Sequence, residues 1–136
     1  MKIADLGRLE GPVILWGGAL GNLSALQALR AVIEEAGIPR DRVIATGDHA
    51  GYCAEGEACA DAVRRLGWAS IAGNVERSLA RDAAECGCGF DAGSTCAVLS
   101  EAWWAHARRT VSQATRDWAA GLPDVAVFQH GPRRYA

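Results

Sequence analysis

Three times within the first 75 residues, a short apolar run stops at glycine beside another glycine or a polar residue. The runs are Val13-Ile14-Leu15-Trp16 ending in Gly17-Gly18, Val43-Ile44-Ala45-Thr46 ending in Gly47-Asp48, and Trp68-Ala69-Ser70-Ile71 shortly before Gly73-Asn74. Helical patterns separate them. Leu23, Leu26, Leu29, Ile33 and Ala36 recur at the three-and-four spacing of an amphipathic helix. Asn22 is a good N-cap for it, and Ser24 with Gln27 has the spacing of a capping box. Gly37 and Pro39 supply the stop. From about Glu57 to Leu66 a second stripe, Cys59, Ala62, Val63 and Leu66, ends at Gly67. Strand, helix, strand, helix, strand in this order predicts right-handed parallel crossovers and an α/β sheet. The unbroken apolar run Val13–Trp16 reads as a strand covered on both faces.

Beyond residue 80 the pattern changes. Glu85 to Ser94 is rich in Gly and Cys and too irregular for a regular element. Helices are predicted from about Cys96 to Val111 and from Gln113 to Ala120, then a strand over Val125–Gln129. His130-Gly131-Pro132 reads as a turn into a returning strand at Arg134–Ala136. A chain that stops inside a hairpin reads as cut short, or as borrowing strands from a neighbour. The unfinished edge at Val125–Ala136 therefore predicts a homo-oligomer.

Composition narrows the partners. A chain of 136 residues suits one domain, and a net charge of −2 provides no basic field for a nucleic-acid backbone. The five tryptophans accordingly read as packing groups rather than a base-stacking platform. Apolar runs are too short for a bilayer, and Met1–Gly11 lacks the apolar core of a signal peptide. Five cysteines, an odd number, predict reduced thiols and a cytoplasmic location.

In open parallel sheets, ligands bind beyond the carboxyl ends of the strands. Asp48 and Asn74 would offer oxygen donors there, and the glycines would let backbone approach a ligand. Each Gly-polar pair alone is an ordinary turn; three at successive strand ends point to a shared mouth. Asn22-Leu23 opening a helix, Gly47-Asp48 followed by Gly51-Tyr52, and Gly73-Asn74 followed by Glu76 resemble the calcineurin-like metallophosphoesterases. The resemblance is close from Val13 to about Ser78 and looser to Ala136. It implies the N-terminal part of that fold, a three-layer sheet-and-helix arrangement, and phosphoester hydrolysis by water activated on two ions about 3.5–4 Å apart. By resemblance, Asp48 is the bridging carboxylate, Asn74 a ligand of the second ion, and Asn22 and Glu76 occupy matching positions. The ion would be manganese, iron or zinc, and the ligand a phosphoester or another small molecule.

The departures from the family pattern are specific. Gly18 stands where the family has its first Asp ligand, Leu20 where it has its first His, and Val75 where it has the His that assists the leaving group. An incomplete dinuclear site with impaired or absent hydrolysis is therefore expected. His49 follows Asp48 directly and would reach the site only if its loop curls; His130-Gly131 looks like a late family ligand motif but sits in a turn. His106, between tryptophans on a helix, reads as a packing or surface group.

Cys86, Cys88 and Cys96 could supply three thiolates to a zinc ion, with Cys53 or water as a fourth donor, or could simply fill space, as Cys59 does on its stripe. Two other functions fit the same residues. Gly17-Gly18-x-x-Gly21 between strand and helix, with Asp48 ending the next strand, outlines a nucleotide-binding α/β module. Loss of three polar site residues alternatively suits a non-catalytic binding scaffold.

Overall fold

The computed structural model describes residues 1–136. The three apolar runs form one parallel sheet of β2 (Ile14–Trp16), β3 (Val43–Ala45) and β4 (Ala69–Ser70) in that order, following an N-terminal strand β1 (Ile3–Arg8). Leu15 lies opposite Ile44, and Ile44 opposite Ala69. Helices α1 (Leu23–Glu35) and α2 (Gly56–Leu66) cover one face. Leu26 and Ile33 from α1, and Cys59 and Val63 from α2, close on Val43 and Trp68. The leucine, isoleucine and valine side chains among these each contribute about 1.5–3 kcal/mol when fully buried. The Asn22 side chain caps α1 by accepting a hydrogen bond from Ala25 N at 3.0 Å.

Strand β2 departs from the expectation of burial on both faces. It is the sheet's edge: Ile14 and Trp16 pack toward the helices, whereas Leu15 is 59% exposed on the other side. An apolar run of three or four residues does not distinguish a central strand from an edge whose second face is uncovered.

A second sheet runs in the order β1, β5 (Val125–His130), β6 (Arg133–Tyr135). β1 is parallel to β5, and β5 antiparallel to β6. Leu9 and Phe128 meet Ile44 of the first sheet, so the layers run helices, sheet, sheet. Strand β1 has no signature in the sequence, because Asp5, Gly7 and Arg8 interrupt its apolar residues and pairing with β5 imposes its extended form. Within the hairpin expected over Val125–Ala136, β5 is bonded on both sides and β6 is a free edge, as is β1 at the other end of the sheet.

Between the sheets in sequence lie α3 (Asn74–Ala80), α4 (Thr95–Thr110) and α5 (Gln113–Gly121). Val75 and Leu79 of α3 join Cys86, Trp104, Ala107 and Val111 in a second core. Helix α3 has no signature in the sequence, since seven residues carry too little periodicity to register. Residues 85–94 contain no helix or strand, in agreement with their composition. No helix is long and apolar enough to cross a membrane.

Candidate functional site

The ends of β2, β3 and β4 converge, and their backbones interlock. A Cβ on Gly18 would collide with the carbonyl oxygens of Gly47 and Asp48, one on Gly47 with the backbone of Gly73, and one on Gly73 with the Asp48 carboxylate. Hydrogen bonds lock the same contacts: Leu20 N donates to Asp48 O at 3.0 Å and Gly21 N to His49 O at 2.8 Å. Glycine is needed here for close backbone approach, and the neighbour approached is this chain itself.

Glu76, in the first turn of α3, is 1% exposed and lies beneath this joint. Its Oε2 accepts from Asp48 N at 2.6 Å and Gly73 N at 3.1 Å, and its Oε1 from His49 N at 2.9 Å. The three backbone amides converge on this one carboxylate and tie the ends of β3 and β4 to α3. Asp48 sits at φ +60°. Its Oδ1 accepts from Val75 N at 3.1 Å. Burial raises the Asp48 carboxyl above its ordinary value, against the opposing pull of the Val75 N–H.

His49 faces the core instead of the strand ends. Its ring is fully buried, with its centroid 5.5 Å from Trp16 and 6.0 Å from Trp118. Nε2 lies 2.9 Å from Ser70 Oγ, which donates its own proton to Ile71 O. Nε2 is therefore assigned as the protonated nitrogen, leaving Nδ1 as a buried acceptor with no partner. Burial pushes the imidazole down to about 4, so the ring is neutral at pH 7. The idea that His49 swings into the site is corrected: adjacent to Asp48 in sequence, it points the other way.

Asn74 also departs from its expected place. It begins α3 rather than ending a strand, and its Nδ2 donates to Cys86 O at 3.0 Å and Cys88 Sγ at 3.4 Å. The side chain thus joins the irregular 85–94 segment. Tyr52, stacked on Trp103 with centroids 4.5 Å apart, brings its hydroxyl 3.7 Å from the same Cys88 sulfur. Asn22 is occupied as a helix cap. The His130 ring donates from Nε2 to Gly11 O at 2.9 Å, and the His106 ring bonds Ala54 O at the same distance. Cys96 is exposed in the first turn of α4, Cys53 is exposed, and Cys59 is core.

The donor set does not fit a bridged pair of ions. Such a centre draws on several oxygen and nitrogen ligands around each metal. Here Glu76 has both oxygens engaged by backbone amides, Gly18 and Leu20 have no donor atoms, and no three His, Cys, Asp or Glu side chains converge in a way that could hold an ion. Asp48 is the one strand-end carboxylate not spanned by amides on both oxygens. Tyr52 and Ser70 gained no role from sequence; a serine inside an apolar strand run was the available signal for a buried polar contact. Comparison of the chain with protein-family models, with curated proteins and with solved structures finds no match.

Proposed function

We propose that this chain is a metallophosphoesterase-like scaffold whose strand-end site has become a packed joint, leaving a non-catalytic binding module rather than a hydrolase. The observation that carries this is the position of Gly18. Where the resembled family places its first carboxylate ligand, no side chain fits, because the carbonyls of Gly47 and Asp48 occupy that space. Glu76, engaged by three amides, adds to the same conclusion.

The nucleotide-binding alternative finds less support. A phosphate at a Gly-rich turn needs free N–H groups. Those of Leu20, Gly21 and Asn22 donate to Asp48, His49 and Ala19 carbonyls, and the Glu55 carboxylate accepts from Leu23 N at 3.4 Å. The unpaired outer edges of β1 and β6 support association between copies. Five free thiols support a reducing, cytoplasmic setting.

Turnover of an activated phosphodiester in the presence of manganese, iron or zinc tests the proposal. The expected rate equals that of Asp48→Ala and of the milder Asp48→Asn. Hydrolysis lost in both variants, with stoichiometric metal in the wild type alone, would overturn it.

A further inference from the structure

We infer that Cys86 and Cys88 form a thiol–disulfide exchange pair that reacts with low-molecular-weight, peptide-like disulfides. Three features of the 85–94 segment carry this. Gly87, at φ +74°, reverses the chain between the two cysteines, and a Cβ there would lie 2.9 Å from Ser78 Oγ. The turn brings Cys88 N to 3.3 Å from Cys86 Sγ, so the first sulfur lies over the backbone of the second cysteine. Around Cys88 Sγ stand the Asn74 amide at 3.4 Å and the Tyr52 hydroxyl at 3.7 Å, two polar groups that fix the orientation of the sulfur.

Access divides the two roles. Cys86 is buried in the second core, and Cys88 is half-buried. Both border a cavity of about 470 Å³, which also carries Glu85, Glu101 and Arg108, the last paired with Asp82 at 3.2 Å. That volume lies within the usual range of small-ligand sites, and charges of both signs suit a zwitterionic thiol compound. Exchange proceeds in two displacements. The Cys88 thiolate attacks one sulfur of the small disulfide, forming a mixed disulfide and expelling one thiolate. Cys86 then gives its proton to water, attacks the Cys88 sulfur and expels the second thiolate, leaving a Cys86–Cys88 disulfide. Two electrons pass from the cysteine pair to the small disulfide, which leaves as two thiols.

Burial, with the Cys86 sulfur beside it, pushes the Cys88 thiol up to about 11, so exchange at Cys88 quickens as pH rises toward that value. Bridging cysteines only one residue apart strains the ring, which makes the bond readily reducible.

The test equilibrates the full chain with glutathione and glutathione disulfide over a range of ratios, alkylates the remaining thiols, and reads intact and fragment masses. Five alkylated cysteines under reducing conditions should fall to three under oxidising ones, with the fragment containing residues 86–88 lighter by two hydrogens. Cys86→Ser should accumulate an unresolved glutathione adduct on Cys88, and a Cys53→Ser/Cys96→Ser double variant should behave as the wild type. Any of three results overturns the inference: alkylation of both residues at every ratio, oxidation that pairs Cys53 or Cys96 instead, or zinc held stoichiometrically by the two thiols in the protein as purified.

Discussion

The strand-end joint and the 85–94 segment are both glycine-rich, yet, Gly87 apart, they use glycine in opposite ways. At Gly18, Gly47 and Gly73 every Cβ position is already taken by a neighbouring strand end. At Gly89 and Gly93 nothing lies within 4 Å, and a cavity opens beside them. The first region carries the family resemblance, yet its polar groups are spent on its own backbone. The second carries little pattern, yet holds two thiols beside open space. A Gly-polar motif thus marks either a ligand cradle or a packed joint, and the distinction lies in what fills the space beside the glycine.

The sharpest way to break this contrast is to remove the carboxylate beneath the joint. Glu76→Ala strands three amide donors in a buried setting and should cost about 3–5 kcal/mol in urea unfolding, with Glu76→Gln recovering part of the loss. Equal stability of Glu76→Ala and wild type would mean that the strand ends are not held as described.

Acid should weaken the same region through His49. Its imidazole titrates near 6.5 when unfolded and is pushed down to about 4 in the fold, so between these values the unfolded chain binds more protons. Stability should therefore fall by about 3 kcal/mol as pH drops from 6.5 to 4, then level off with respect to this group. The raised Asp48 carboxyl works in the opposite sense, losing stability as pH rises through its folded value. The measurement is consequently the difference between wild type and His49→Gln across that window, and parallel pH profiles would contradict a buried neutral ring.

Adjacent glycines provide a smaller, matched comparison. Gly18→Ala forces a methyl against two carbonyl oxygens and should lose about 1–3 kcal/mol. Gly17 has open space and should tolerate alanine within about 0.5 kcal/mol. Equal tolerance at the two positions would dissolve the distinction between a joint and an open loop.

Much of the fold was legible because strand and helix periods differ so clearly between Val13 and Ile71, and the two later helices with the Val125 hairpin were also readable. What escaped detection depends on distant partners. β1 is a strand only because β5 lies alongside it, Leu15 is exposed only because β2 is an edge, and α3 is too short to show a period. The site was legible in location more than in chemistry. Asp48 and Glu76 do gather at the strand ends, but sequence spacing could not show that Glu76 would be consumed by amides, that His49 would turn into the aromatic core, or that Asn74 would bond the Cys86–Cys88 segment.

The most direct test of a packed joint is anomalous diffraction from crystals equilibrated with manganese. The account predicts no anomalous peak within coordination distance of Asp48, with Gly18 still seated against the Gly47 and Asp48 carbonyls. A manganese ion between Asp48 and Asn74, with the Gly17-Gly18 bend displaced to admit it, would contradict the account.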